Sequence, residues 1–130
     1  MSELQCVVVT PEKTELDVQA TSVTVPMFDG EMGILRGHSP LVGRLGYGVL
    51  RIKSGSGLDS YFIEGGFVQV SSNVVSVLTD SLLPMSEVTT QTAEAALKAA
   101  DEMPTDEPEQ AIARQKAHQR ARAMKRLASL

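Results

Sequence analysis

The side chains in this sequence that could do chemistry are two histidines and one cysteine. His38 and His118 lie on different segments, and neither has a cysteine or a carboxylate cluster at the spacing of a metal site. Cys6 lies in an apolar run without a basic neighbour, which is typical of a buried structural thiol. The sequence contains no nucleophile elbow, phosphate-binding loop or CxxC pair. We therefore expect no catalytic site, metal or cofactor, and the candidate functional residues lie on surfaces.

Two polar side chains, Glu31 and His38, lie in a segment whose backbone is broken repeatedly, residues 29–40. The segment begins with Asp-Gly, which is typical of a tight turn, and two further glycines and a proline follow. These breaks predict that both side chains lie on exposed loops, with Gly33 in a conformation of positive φ. On the residues alone they are either ordinary turn residues or docking residues carried by a rigid scaffold.

Up to residue 80, short runs rich in valine, isoleucine and leucine alternate with turn residues. This spacing is typical of an antiparallel β-sandwich. Strands are predicted over residues 4–10, 15–20, 23–25, 49–53, 61–63, 67–70 and 74–78. Glycines are predicted to mark turns between strands, namely Gly43, Gly46, Gly48, Gly65 and Gly66. We expect an all-β domain over residues 1–85.

Residues 86–130 predict a C-terminal α-helical hairpin. The segment Thr-Thr-Gln-Thr at residues 89–92 offers hydroxyl caps to an alanine-rich first helix, which Pro104 ends. Asp106 is predicted to cap the second helix, with Glu109 making the reciprocal contact. This second helix is predicted from about residue 107 to residue 128.

The second helix has two faces at helical spacing. One is a stripe of small residues that is predicted to contact the first helix: Ala113, Ala117, Ala121, Met124 and Ala128. The adjoining face is basic: Arg114, His118, Arg122, Lys125 and Arg126. The basic face either binds an acidic partner or is a solvated surface that keeps the helix soluble.

Composition narrows the class of protein. Apolar residues make up 42% of the chain, but aromatic residues only 4%. This composition predicts a thin aliphatic core whose stability depends in part on contact with a partner. The formal charge of −4 argues against a protein that coats nucleic acid or membrane with its whole surface. No signal peptide, transit peptide or long apolar span is visible, so we expect a soluble chain that is not exported.

Several segments resemble the epsilon subunit of F-type ATP synthase, which corresponds to delta in mitochondria. Residues 29–40 (Asp-Gly-Glu-Met-Gly-Ile-Leu-Arg-Gly-His-Ser-Pro) match its glycine-rich segment, except that Arg36 stands where the family usually has proline. Three further segments are similar to its strands in the same order: residues 48–52 (Gly-Val-Leu-Arg-Ile), 65–70 (Gly-Gly-Phe-Val-Gln-Val) and 73–80 (Asn-Val-Val-Ser-Val-Leu-Thr-Asp). The resemblance covers nearly all of residues 4–80.

The resemblance implies a β-sandwich of about ten strands followed by a helical hairpin. It implies a non-catalytic place in the rotating central stalk, between the gamma subunit and the ring of c subunits. There the chain would couple proton translocation to ATP synthesis by the hexamer of α and β subunits, and its hairpin could inhibit ATP hydrolysis. It would be a peripheral protein on the cytoplasmic face of the bacterial inner (plasma) membrane, rather than of a chloroplast thylakoid, and would touch the membrane only through the complex.

The resemblance also implies which residues contact partners. The contact with gamma and the c ring would involve Glu31, Gly33, Arg36, His38, Ser39 and Pro40. The inhibitory contact with a β subunit would involve Arg114, His118, Arg122, Lys125 and Arg126. Some bacterial members bind ATP through an aliphatic-Asp-x-x-Arg-Ala motif, but Thr89 and Thr92 replace the charged residues here. We therefore expect no ATP binding by this hairpin.

An alternative hypothesis follows from the basic face of the second helix. The chain would be a small β-sandwich binding module whose basic helix grips nucleic acid or an acidic protein. The net negative charge disfavours nucleic acid, because binding to phosphates is dominated by cationic side chains.

Overall fold

The structure, a computed structural model, describes residues 3–129. The fold comprises two compact units, one ending at Pro84 and the other beginning at Met85. The division predicted from the sequence lies one residue later.

The first unit is a β-sandwich, as predicted, and the second contains two helices. The described strands are β1 (Leu4–Val9), β2 (Thr14–Ala20), β3 (Ser22–Met27), β4 (Gly30–Leu35), β5 (Leu41–Ser54), β6 (Gly57–Ser71), β7 (Val74–Leu78) and β8 (Leu82–Pro84). A short 3₁₀ helix, Met85–Glu87, precedes helices α1 (Thr90–Asp101) and α2 (Pro108–Ala128). The described residues thus contain eight strands, where about ten were expected.

The two longest strands, β5 and β6, connect the layers of the sandwich. Their residues 41–45 and 66–71 pair in one layer with β7, β1 and β2, in the order β2-β1-β7-β6-β5. Their other parts pair in the second layer with β3, β4 and β8. One pairing, β1 with β7, is parallel, so the sandwich is not wholly antiparallel.

The predicted turns within β5 and β6 are wrong, because the glycines there serve a different purpose. Gly65 and Gly66 have φ of +66° and +104° inside a continuous strand, which lets β6 change direction without ending. Gly48 allows β3 to approach closely, because a Cβ at this position would lie 2.7 Å from Pro26 Cβ. Gly43 likewise leaves space for the side chain of Met27.

The segment predicted as exposed loops begins with strand β4. This strand pairs with β3 through a tight hairpin, and Gly30 has φ of +138° where the hairpin enters β4. Gly33 lies within the strand and is not among the residues with positive φ, so the expectation of a positive φ there is wrong.

The core of the sandwich is aliphatic, as the composition predicts. Inward-facing residues of both layers are almost fully buried, among them Leu4, Cys6, Val8, Val23, Val25, Ile34, Leu50, Ile63, Val68, Val70, Val75 and Val77. All of these lie between residues 4 and 77, so the first unit contains its own hydrophobic core.

Both helices have capping contacts at their N-termini. At α1, Thr92 N–H donates to Thr89 Oγ1 at 3.1 Å, and Thr89 N–H donates to Thr92 Oγ1 at 2.8 Å, a reciprocal capping box. The N-cap of α2 is Glu107, whose N–H donates to Gln110 Oε1 at 3.0 Å. The predicted cap at Asp106 is therefore wrong by one residue, since Pro108 occupies the first helical position.

The two helices pack on one another as a hairpin. Of the predicted small-residue stripe on α2, Ala121 and Met124 are buried, whereas Ala113 is exposed. On α1, Ala93 and Ala100 are buried.

Candidate functional site

Glu31 lies on the outward side of β4 and forms an ion pair with a residue of β5. Arg51 Nη1 donates to Glu31 Oε2 at 2.5 Å. The arginine reaches across β3, where its neighbour in register is Thr24, which in turn lies beside Gly33 of β4. Because the two charged side chains are 38% and 55% exposed, the pair contributes at most about 1 kcal/mol to stability. Its effect is to hold the Glu31 carboxylate in one position on the surface.

His38 lies in the loop that joins β4 to β5, and this loop is held by a side chain from another turn. Gly37 N–H donates to Asn73 Oδ1 at 2.8 Å. Asn73 lies at the tip of the β6–β7 hairpin with φ of +64°, a conformation that asparagine tolerates better than most residues. Within the loop, His38 Nδ1 lies 2.7 Å from the carbonyl oxygen of Ser39. The sequence analysis treated Asn73 only as a turn residue and did not predict this contact.

The six residues predicted to contact gamma and the c ring fall into two groups. Glu31 and Gly33 lie on the outward side of β4, whereas the following loop contains Arg36, His38, Ser39 and Pro40. At about 3.3 Å per residue, the four steps from residue 31 to residue 35 place Glu31 about 13 Å from the start of that loop, with Gly33 between them. The expectation that Glu31 and His38 both lie on loops is therefore wrong for Glu31, and the two side chains do not form one cluster.

The outer surface of the β1–β7 layer carries large apolar side chains that the sequence analysis did not single out. The members of this apolar face are Phe28, Val42, Phe67 and Leu78, which are 61%, 73%, 56% and 49% exposed. Phe67 lies opposite Leu78 on β7 and opposite Arg44 on β5, and side chains paired in this way project to the same side of a sheet. Val42 lies on that side too, two residues before Arg44.

Phe28, at the tip of the β3–β4 hairpin, is joined to this surface by Arg44. The guanidinium carbon of Arg44 lies 4.7 Å from the centre of the Phe28 ring, a cation–π contact. A shallow groove of about 350 Å³ continues the surface along Phe67 and Leu78 towards Pro11 and Asp80. Exposed apolar side chains that are contiguous, rather than scattered, are typical of a protein–protein interface.

The basic face of α2 divides into two parts. Arg114 and His118 are half-buried and contact Asp101, the last residue of α1. His118 Nε2 lies 2.6 Å from Asp101 Oδ1, and Arg114 Nη2 lies 4.0 Å from the same oxygen. The remaining basic residues of this face, Arg122, Lys125 and Arg126, are exposed.

The described residues show no group of three or more histidine, cysteine, aspartate or glutamate side chains that could hold a metal ion. Between residues 3 and 129, neither helix combines the length and the apolarity needed to cross a membrane. Cys6 is buried, as predicted, and desolvation, with the nearby charge of Asp17, raises the pKa of its thiol to about 12.

Comparisons with known proteins agree with the resemblance seen in the sequence. Residues 3–85 match the family model described as ATP synthase, Delta/Epsilon chain, beta-sandwich domain. A relative from Rhodopirellula baltica, named ATP synthase epsilon chain, is 50% identical over 123 residues, which are 95% of this chain and 96% of that protein.

Two solved structures share the fold. A chain in the cryo-EM structure of the Euglena gracilis mitochondrial ATP synthase, comprising OSCP, F1 and c-ring, gives a TM-score of 0.78 at 24% identity, with 97% of this chain and 81% of that chain covered. A chain in the central stalk and c-ring structure of the Tetrahymena thermophila mitochondrial ATP synthase gives a TM-score of 0.72 at 17% identity, with 98% and 97% covered. The family match over the whole sandwich, together with the relative that spans nearly the whole chain, shows that this chain belongs to the ATP synthase delta/epsilon chain family.

Proposed function

We propose that this chain is a non-catalytic rotor component of the central stalk of an F-type ATP synthase, where it joins gamma to the c ring. Its relatives are named ATP synthase epsilon chain, and the chains that share its fold belong to assemblies that contain the c ring. In this role it transmits ion-driven rotation, with protons as the proposed coupling ion, towards the catalytic hexamer of α and β subunits. It lies at the cytoplasmic face of the bacterial inner membrane and reaches the membrane only through the complex.

The observation that carries this proposal is the apolar face of Phe28, Val42, Phe67 and Leu78. Fully burying one such side chain contributes about 1.5–3 kcal/mol, so a partner that covers all four gains a large share of a stable interface. We infer that gamma covers this face. The loop with Arg36 and His38 borders it, because Pro40 leads directly into β5 two residues before Val42.

The Glu31 carboxylate supports a second contact, with polar or basic loops of the c ring. Glu31 lies beside the tip of the β3–β4 hairpin, about 13 Å along β4 from Leu35, where the strand ends and the His38 loop follows. Because Arg51 already holds the carboxylate, a partner group meets it without first fixing its orientation. The two groups of predicted contact residues thus suit two partners rather than one.

The helical hairpin is proposed to act as a brake on ATP hydrolysis. Three exposed cations, Arg122, Lys125 and Arg126, lie in the last two turns of α2 and suit an acidic segment of a β subunit. Single exposed ion pairs contribute about 0–1 kcal/mol, so the brake needs several to act together. Arg114 and His118 join them only when they leave Asp101.

The docking of gamma is tested by co-purification with tagged full-length variants from cells that contain the other subunits. Phe67→Ser is expected to reduce recovery of gamma, α and β at least tenfold, because it places a polar side chain at the centre of a desolvated contact. Leu58→Ser is the matched control, since Leu58 is 59% exposed on the same strand but lies in the other layer. His38→Ala is expected to weaken recovery while leaving the fold intact.

Equal recovery of gamma with Phe67→Ser and Leu58→Ser would contradict docking on the apolar face. Recovery of nucleic acid or of unrelated acidic proteins alone, without gamma, would support the alternative of a binding module with a basic helix. The basic side chains of α2 are what favour that alternative.

A further inference from the structure

One cation, Arg44, lies among the side chains of the apolar face. It projects from β5 to the same side of the sheet as Val42, two residues before it, and as Phe67, its partner in register on β6. The ring of Phe28 lies 4.7 Å from its guanidinium carbon. Arg44 itself is exposed. Three of the four members of the apolar face therefore adjoin a single positive charge.

The guanidinium of Arg44 has no carboxylate partner within residues 3–129, where no carboxylate oxygen lies at ion-pair distance from it. The backbone of Arg44 is engaged, because its carbonyl oxygen accepts a hydrogen bond from Phe28 N–H at 3.1 Å. The Phe28 ring attracts the cation but offers no oxygen to the five N–H groups of the guanidinium. In the free chain these donors are satisfied by solvent.

Docking on the apolar face changes the surroundings of this cation. A partner that covers Phe28, Val42 and Phe67 also removes water from Arg44, since all three adjoin it. A charged group that loses its water is strongly unfavourable unless an opposite charge replaces that water. Arginine does not escape this cost by losing its proton. A carboxylate is the group whose two oxygens match the guanidinium, through two parallel N–H···O hydrogen bonds.

We propose that the partner surface covering the apolar face presents an aspartate or glutamate carboxylate to Arg44. This inference rests on the proposed docking of gamma and states the chemistry that the docked surface of gamma has: apolar, with one acidic side chain inside the contact. Apolar contacts have no preferred direction, whereas a bidentate ion pair has one geometry. Arg44 therefore determines the orientation and specificity of docking, while the apolar side chains supply most of the affinity.

The test titrates the full 130-residue chain, carrying a fluorescent label, into a complex of α, β and gamma purified without this chain. Arg44→Met is expected to raise the Kd about tenfold, because it leaves the carboxylate of the partner buried and unpaired. Arg44→Glu brings two carboxylates together and is expected to raise the Kd at least about 100-fold. Lys53→Glu is the matched control, since Lys53 is exposed on the same strand but pairs with Leu58 in the other layer. It is expected to change the Kd less than about threefold.

A cross-link detects the carboxylate directly. Arg44→Lys places an amine at this position, and a carbodiimide joins an amine to an adjacent carboxylate as an amide, taking up the water that is lost. Mass spectrometry of the linked peptides is expected to show position 44 joined to an aspartate or glutamate of gamma, and Lys53 of the same chain not joined. This product distinguishes a carboxylate of the partner from a loss of binding caused only by movement of Phe28.

Phe67→Ser in the same titration separates this inference from the proposed docking. If Phe67→Ser weakens binding but Arg44→Met and Arg44→Glu bind as tightly as the unchanged chain, the carboxylate is overturned and docking on the apolar face stands. If Phe67→Ser also binds as tightly, the docking itself is wrong and the inference fails with it. A carbodiimide product that joins Lys53 but not position 44 to gamma would likewise overturn the carboxylate. Circular dichroism spectra equal to those of the unchanged chain show that each variant is folded.

Discussion

Gly66 and Gly33, both in the sandwich, differ in whether the structure requires a glycine at that position. A Cβ on Gly66 would overlap with the carbonyl oxygen of Leu78, and the residue has φ of +104°. A Cβ on Gly33 would meet nothing within 4 Å, and this residue is not among those with positive φ. The first position therefore excludes a side chain, whereas the second does not.

We expect Gly66→Ala to lower the free energy of unfolding by at least about 2 kcal/mol, through backbone strain and overlap. Gly33→Ala is the matched control and is expected to change it by less than about 1 kcal/mol. Urea unfolding followed by circular dichroism measures both. Similar losses at the two positions would show that the backbone of β6 relaxes around the added methyl group.

Cys6 gives a second prediction at this scale. Burial raises the pKa of its thiol from 9.0 to about 12, so the thiol stays protonated in the folded chain at physiological pH. The unfolded thiol ionises first as pH rises, so the folded chain loses stability above about pH 9. We expect no measurable reaction with a thiol reagent at pH 8 without denaturant, and rapid reaction once the chain is unfolded. Rapid reaction of the folded chain would show that the β1–β2 edge opens locally.

Residue types alone were enough to predict that Cys6 is buried, because a cysteine in an apolar run without basic neighbours is typical of a protein core. They were not enough to place Glu31. An Asp-Gly turn signal is correct at the tip of the β3–β4 hairpin, but Gly33 does not end the strand. A glycine in a strand that already has a pairing partner is tolerated, and sequence alone does not show the partner.

At the scale of elements, the start of α1 depends on a pair of threonines. Thr89→Ala removes the side chain that accepts from Thr92 N–H and is expected to cost about 1 kcal/mol of helix stability. Amide exchange in the first turn of α1 measures this loss. Thr90→Ala, one position later, is the control and is expected to have little effect.

The expected absence of ATP binding at Thr89 and Thr92 stays a prediction.

The hairpin was predictable as an element because its signals are local. Alanine-rich segments, a hydroxyl cap and a proline at the first turn of a helix lie within a few residues of one another. The continuity of the long strands β5 and β6 was not predictable from the sequence, because it depends on pairing between distant segments. The apolar face was missed for the same reason: Phe28, Val42, Phe67 and Leu78 become neighbours only through the register of four strands.

At the scale of the whole molecule, the sandwich contains its own core, since the core cluster lies entirely within residues 4–77. A chain that ends after Met85 is therefore expected to keep a folded sandwich and to assemble with gamma. In the assembled complex we expect this truncation to raise ATP hydrolysis, because the proposed brake is removed. Hydrolysis by purified complexes, measured at saturating ATP, is the readout.

Charge reversal of Arg114, Arg122 and Lys125 to glutamate is expected to reproduce most of that rise, and high salt part of it. The full-length chain with Gln115→Glu, a change at an exposed position of the same helix outside the basic face, is the control. If truncation raises hydrolysis but the charge reversal does not, the hairpin inhibits hydrolysis through steric contact rather than through its charge. Unchanged hydrolysis in both would leave the basic face as a solvated surface.

The parallel pairing of β1 with β7 has a consequence for how the chain folds during synthesis. Residues 5–9 are made first, yet one of their two neighbouring strands is residues 74–78, near the end of the sandwich. Contacts so distant along the chain raise contact order and slow folding. Until residue 78 has left the ribosome, β1 exposes a row of unpaired amide and carbonyl groups, which invites pairing with other chains. We therefore expect the layer that contains β1 to form late during synthesis, once β7 has emerged from the ribosome.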